Sequence, residues 1–487
     1  MRSSAKLGDW PAAGTRLVVS TDPSLLPIQP DGPADGSGIG IVGGGQLALM
    51  LAEAAQEQAV PLHVQTPGPA DPAVRLATTV IQAEIDDASA TRELSRRCRA
   101  ISFENEWVDL DALAPLAEAG VRFLPSLESL RFLVDKRQQR ELLGRLSIPT
   151  PRWFPLNALF SPARAPSPST QEQASNPDAI AGFFASDVPW QLASPAPASD
   201  PGATAQAPGE WAPETAGPAA AGLEPTALGC LPSGWSFPVV AKAIRGGYDG
   251  KGTLIVRSEQ ELGRLLEQVD PALWILEDFV AFERELAMVA CRDHTGAVAC
   301  YPLVQTQQHH QVCDWVLAPA QASQALEAMA RNMAASLLTA LDYVGVLSIE
   351  FFYGPAGLLV NELAPRTHNS GHYSIEACSI SQFAQQVRIV AGQPLQAPHL
   401  TAAGALMVNL LGTDRGEAER AAALASLVAL PGATLHWYGK QGAALGRKLG
   451  HITVLLQALG PEERASEARQ RLEEIRTIWP LPAQDWA

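Results

Sequence analysis

The 487-residue chain carries 35 basic and 51 acidic side chains, a net charge of −16. That balance argues against broad affinity for nucleic acid or an anionic membrane, and leaves room for a small anion held by a few local cations. At 47% hydrophobic the chain can bury a sizeable core, and at roughly 100–200 residues per domain its length allows two to four domains.

Residues 1–37 are rich in Pro, Gly, Ser and Asp and are expected to form a flexible extension without a cleavable apolar leader. Order begins at "GIGIVGGGQLALMLAEAAQEQAVPLHVQT". Residues 39–42 read as a buried strand, Gly43 to Gly45 as a turn, 47–58 as a helix and 60–64 as the next strand. This unit opens a doubly wound α/β sheet, assigned to residues 38–125. The turn lacks full GxGxxG spacing, so close backbone approach to a small anion at the helix N-terminus is favoured over a dinucleotide, with a purely structural turn as the alternative. Residues 126–146 have helical spacing, ended by Pro149 and Pro151.

Residues 161–235 are mostly Ala, Pro, Ser and Gly, too poor in large apolar side chains to offset ordering entropy. They read as a flexible insertion, with one short helix at 178–192, inside a central domain of residues 126–400. Lys242 lies on a strand that leads into a loop containing Gly246, Gly247, Gly250 and Gly252. "ALWILEDFVAFERELAMVAC" reads as two strands and a turn, and "DYVGVLSIEFFYGPAGLLVNELAPR" as a hairpin with Gly354 and Gly357 in its turn. Residues 401–487 read as a small β-rich domain with one closing helix. Six cysteines without a CxxC pair suggest buried free thiols, and no long uncharged apolar run appears, so the expected location is the cytoplasm.

Glu350 and Glu362 lie on opposite arms of the hairpin, where antiparallel pairing brings two carboxylates together. Like charges so placed repel, and a divalent cation bridging phosphate oxygens removes the conflict. In a regular strand Asn361 would face away from Glu362, but a bulge would bring its amide in. The glycine loop can direct backbone N–H groups at phosphate, with Lys136 and Lys242 as point charges. No GxxxxGK[ST] occurs, so this is not a P-loop.

"DKRQQRELLGRLSIPTP", "FPVVAKAIRGGYDGKG", "WILEDFVAFERE", "SIEFF" and "NELAPRTHNSGHYSIEAC" resemble the ATP-grasp enzymes, and among them the N5-carboxyaminoimidazole ribonucleotide synthase family. "GGGQLALM", "FENE" and "YGK…GRKLGHI" support the same resemblance, which covers residues 38–160 and 236–455. It implies an α/β ATP-grasp architecture: a preATP-grasp domain, a central ATP-grasp domain and a small C-terminal β-rich domain. It implies ATP- and bicarbonate-dependent carboxylation of 5-aminoimidazole ribonucleotide, through carboxyphosphate, in a homodimer. Magnesium, or manganese in its place, would sit on Glu350 and Glu362. Lys136, Lys242 and the loop glycines, Gly247 and Gly250 among them, would meet the phosphates of ATP. Glu277 and the Phe279 backbone would address adenine, and Glu285 the ribose. Arg366 can fork onto bicarbonate, with His368 and Asn369 as further donors. Tyr248 and Asp249 would close over the reacting species. Gly45, Gln46, Glu104, Lys440, Arg447, Lys448 and His451 would hold the ribonucleotide, with a solvated basic turn as the bland reading of Arg447 and Lys448.

Leu49, Gln305 and Thr367 depart from the family pattern, which commonly has Arg, Glu and Pro there. The alternatives are another ATP-grasp ligase, such as a formate-dependent ribonucleotide transformylase or a biotin-dependent carboxylase, and an ATP-binding regulatory module without catalysis.

Overall fold

The computed structural model describes residues 17–18, 38–160, 231–246, 252–440, 442 and 444–482. Most of the expected N-terminal extension, residues 161–230 of the expected insertion and loop residues 247–251 lie outside them. The chain divides into two units, Met1–Asn157 with Ser236–Ala487, and Ala158–Trp235. The architecture below is that of the first.

Four parallel strands come first, in the order Thr79–Gln82, Leu62–Thr66, Gly38–Val42, Cys98–Phe103. The two central strands are buried along their whole length, as a sheet covered on both faces requires. The Gln46–Glu57 helix leaves the glycine turn and is buried all round from Leu47 to Ala52, emerging into solvent only at its C-terminal end.

The stretch expected as a single helix at 126–146 is two helices, Leu127–Leu133 and Lys136–Arg145. Asp135 interrupts them: its backbone is extended and its carboxylate accepts the Gln138 N–H, restarting the helix with a side-chain cap. The new start places Lys136 and Arg140 one turn apart on one face.

A second sheet is antiparallel, in the order Trp153–Pro155, Trp274–Asp278, Val239–Ala243, Thr253–Val256. A third, ten-stranded sheet contains Arg284–Arg292, the hairpin Gly345–Gly354 and Gly357–Ala364, and the strands Val304–His309 and Val312–Ala318. Gly404–Leu411, Lys448–Leu456 and Ala433–Trp437 do not make a sheet of their own. They continue the third one, because Gly404–Leu411 pairs directly with Val312–Ala318. The Gln324–Ala340 helix packs over the Arg284–Arg292 strand, and its Ala330, Ala334, Leu337 and Leu338 share the main core with Leu286, Met288, Leu347 and Ile349. No helix among the described residues is long and apolar enough to cross a membrane.

Candidate active site

All three sheets contribute to one cavity of ≈ 1180 Å³. On the hairpin, Glu350 pairs with Glu362 and Phe351 with Val360, so Asn361 is the extra residue of a β-bulge. The bulge puts the Asn361 side chain on the cavity wall beside both glutamates, where its Oδ1 accepts from Lys242 Nζ at 2.9 Å. Lys136 Nζ, from the first turn of its helix, donates to Glu362 Oε1 at 2.5 Å.

Burial and the facing Glu362 push the Glu350 carboxyl above the usual carboxylate range. Burial acts the same way on Glu362, but Lys136 and Lys242 outweigh it and hold that carboxyl low. Among the described residues no group of three or more His, Cys, Asp or Glu makes a metal cage. Two carboxylates suit magnesium, which completes its shell with water and substrate phosphate oxygens.

Glu277 is 1% exposed and both its oxygens are taken, by Arg140 Nε at 2.6 Å and Lys242 Nζ at 2.8 Å. Burial alone would raise its pKa, yet the two cations hold it down at about 2. Burial in turn lowers the pKa of Lys242, against the pull of Glu277. The carboxylate expected on adenine lines the cavity and also fixes Lys242 in place. Phe279, with Val240 and Ile255, lines an apolar part of the cavity. Glu285 also faces it, and burial together with Glu350 pushes its carboxyl up to about 8.

Arg366 forms an ion pair with Glu106 at 3.0 Å and donates from Nη1 to the Thr367 carbonyl at 3.1 Å. His368 Nε2 stands 3.5 Å from Glu350 Oε1. Gln382 clamps the His368 backbone, accepting its N–H at 2.9 Å and donating to its carbonyl at 2.6 Å. Asn369 lies on the same wall.

The glycine turn meets a protein anion. Glu104 accepts from Gly45 N at 2.7 Å and Leu47 N at 3.2 Å, capping a helix whose first turn has no acidic residue of its own. The anion expected at this helix start is therefore the chain's own carboxylate, and burial raises its pKa despite those donors. A Cβ on Gly45 would stand 2.4 Å from Glu104, and one on Gly44 2.3 Å from Thr66, so the small residues make room for these two side chains. Gln46 accepts from Lys440 Nζ at 2.6 Å, and the same ammonium donates to the Lys448 carbonyl at 3.0 Å.

Gln46, Lys440, Arg447 and Lys448 all line the cavity, as do Gly45 and Glu104. His451 does not. It is fully buried, pairs through Nδ1 with the Tyr438 hydroxyl at 2.8 Å and stacks on His436 at 4.4 Å. His372, His436 and Tyr438 pack around it although Arg447 and Lys448 nearby line the cavity, and burial drives its pKa well below the usual imidazole value. Gly247, Tyr248, Asp249 and Gly250 lie outside the described residues. Of the three departures, Leu49 and Thr367 are buried and Gln305 lines the cavity.

Sequence reasoning missed Glu106 and Arg140. Each had a signal: Glu106 is two residues from Glu104 in the same short acidic motif at the end of the Cys98–Phe103 strand, and Arg140 is one helical turn from Lys136.

Residues 37–133 match the ribonucleotide synthetase preATP-grasp domain, 230–383 the ATP-grasp domain and 405–463 the phosphoribosylaminoimidazole carboxylase C-terminal domain. The N5-carboxyaminoimidazole ribonucleotide synthase of Synechococcus elongatus is 43% identical over 91% of this chain and 96% of that one. Its counterpart from Synechocystis is 39% identical over 91% and 97%. The crystal structure of N5-carboxyaminoimidazole ribonucleotide synthetase from Thermus thermophilus superposes with a TM-score of 0.67 at 29% identity, covering 91% of this chain and 98% of that one. Three consecutive domain matches and near-full-length identity with these relatives establish that the chain belongs to the ATP-grasp N5-carboxyaminoimidazole ribonucleotide synthase family.

Proposed function

We propose that the protein is an ATP-dependent carbon–nitrogen ligase that carboxylates the exocyclic amine of 5-aminoimidazole ribonucleotide with bicarbonate. The products are N5-carboxyaminoimidazole ribonucleotide, ADP and phosphate. The observation that carries this reading is one shared cavity, with a lysine-flanked carboxylate pair on one wall, Arg366 beside it and Lys440, Arg447 and Lys448 from the connection that leads into Lys448–Leu456.

The γ-phosphoryl group of ATP passes to a bicarbonate oxygen, giving carboxyphosphate and ADP. The amine nitrogen then attacks the carboxyl carbon, the carbon–oxygen bond to phosphate breaks, and the amine proton is lost. Lys136 and Lys242 neutralise the transferring phosphates, Lys242 being held by Glu277 and Asn361. Glu350 and Glu362 would hold magnesium, which draws charge from the phosphate oxygens when bound. Arg366 orients bicarbonate, its own direction fixed by Glu106. Lys440, Arg447 and Lys448 offer charge to the ribonucleotide 5′-phosphate, and Phe279 and Ile255 an apolar face to adenine. A homodimer in solution belongs to the same reading.

The test is ADP release with magnesium and labelled bicarbonate, with and without the aminoimidazole ribonucleotide, following the N-carboxylated product under mildly alkaline conditions. Equimolar label transfer and ADP supports the proposal. ATP turnover with formate in place of bicarbonate, or nucleotide binding without transfer, overturns it.

A further inference from the structure

The strand Gly404–Leu411, "GALMVNLL", is buried at every position and apolar but for one residue, Asn409. Asparagine is a poor strand former, and a carboxamide there costs free energy unless all its groups are paired. A residue that breaks the local pattern so sharply is expected to serve something other than stability.

Asn409 is 0% exposed, and its pairing is complete. Its Nδ2 donates to the Cys313 carbonyl at 2.8 Å and to Asn369 Oδ1 at 2.6 Å, and its Oδ1 accepts from Asn369 Nδ2 at 3.0 Å. The Cys313 carbonyl can only accept, so the Asn409 amide nitrogen must face it. A half-turn of that amide would set two oxygens against each other. With Asn409 fixed, Asn369 must present oxygen to the second N–H of Asn409 and nitrogen to its Oδ1. One backbone carbonyl on the neighbouring strand therefore dictates which way the Asn369 amide points at the cavity wall. The reciprocal pair uses one N–H of Asn369 and leaves its other N–H for a cavity ligand.

We infer that Asn409 is a positioning residue for the carboxylation site, acting through Asn369 from a strand of the C-terminal region. It touches no substrate. The ATP-grasp loop supplies Asn369, and the C-terminal strand sets its polarity. This inference rests on the proposed function, in which Asn369 donates to the bicarbonate-derived group.

The experiment compares full-length Asn409→Leu, Asn409→Asp, Asn369→Ala and the Asn369→Ala/Asn409→Leu double variant. Leucine keeps the volume. Aspartate keeps an acceptor for Asn369 but loses the N–H groups that Cys313 and Asn369 require. The readouts are thermal unfolding, kcat, KM for ATP and for bicarbonate, and product formed per ADP released. Both Asn409 variants should lose about 10- to 100-fold in kcat, with less product per ADP and KM for ATP changed by no more than about twofold. The double variant should be no worse than Asn369→Ala, because one acts through the other. Parental kcat and coupling in either folded Asn409 variant, beside a damaged Asn369→Ala, overturns the inference and leaves the proposed function standing. Multiplying losses in the double variant also overturn it. Parental activity in Asn369→Ala removes the assumed donor role itself, and the inference with it.

Discussion

Glu277 offers a clean separation of scaffold from ligand contact. Replacing it with glutamine leaves size and shape intact but removes the charge between Arg140 and Lys242, both of them buried. Removing one partner from a buried ion network costs about 3–5 kcal/mol, because the remaining charges stay desolvated. A second route gives a similar figure. A carboxyl moved from 4.5 to about 2 on folding contributes about 3 kcal/mol. Because the folded value is the depressed one, that stability is present above about pH 4.5 and is lost as pH falls towards 2. Urea unfolding without nucleotide, at pH 7 and at pH 4 and below, measures both effects. Glu277→Gln should be less stable by about 3–5 kcal/mol at pH 7 and the gap should close in acid. Its KM for ATP should rise, since Lys242 loses the carboxylate that sustains its charge. A parental urea midpoint at pH 7 would refute the reasoning, leaving Glu277 as a ligand contact only.

Three further outcomes follow from the same geometry. Glu362→Ala should lower kcat by about 100-fold or more at saturating magnesium; an unchanged magnesium-dependent kcat sinks the metal role. Glu106→Gln should cut kcat/KM for bicarbonate by about tenfold or more while leaving ATP affinity near parental, as Arg366 loses its orienting partner; equal bicarbonate kinetics would show that Thr367 alone orients the arginine. Gly45→Ala should destabilise the protein by about 1–3 kcal/mol, because the added Cβ stands 2.4 Å from Glu104 Oε1; a parental melting temperature would mean that Glu104 yields without loss.

Most of the cavity wall was legible in the chain because its residues lie within short motifs whose local structure is simple. Glu350 and Glu362 face each other because a short glycine turn folds one strand back on the next. The bulge at Asn361 could be framed as a condition but not decided, since a bulge depends on the register of the finished hairpin. The ion pairs of Glu277 were hidden for a different reason: its partner Arg140 lies 137 residues away, and only the assembled sheet and helix reveal the pair. His451 shows the limit of reading a cationic turn as one object. Arg447 and Lys448, at the start of the strand, reach the cavity, whereas His451 lies further along it under His372, His436 and Tyr438, partners that come from other parts of the chain. Glu104 shows that a glycine turn before a helix can equally welcome a carboxylate from the same chain.

The continuity of the third sheet bears on how this chain can be divided. A truncation near residue 400 looks reasonable from the domain order, but it would strip Gly404–Leu411 from Val312–Ala318. Val312–Ala318 is seven residues long and buried throughout, with no proline or lysine to discourage new pairing. Its freed backbone N–H and C=O groups would form an open edge, apolar except for Asp314, which would lose its partner Arg476, of the kind that templates strand addition between molecules. The C-terminal region is thus also a guard against self-association, and the shortened chain should aggregate before its loss of catalysis can be measured.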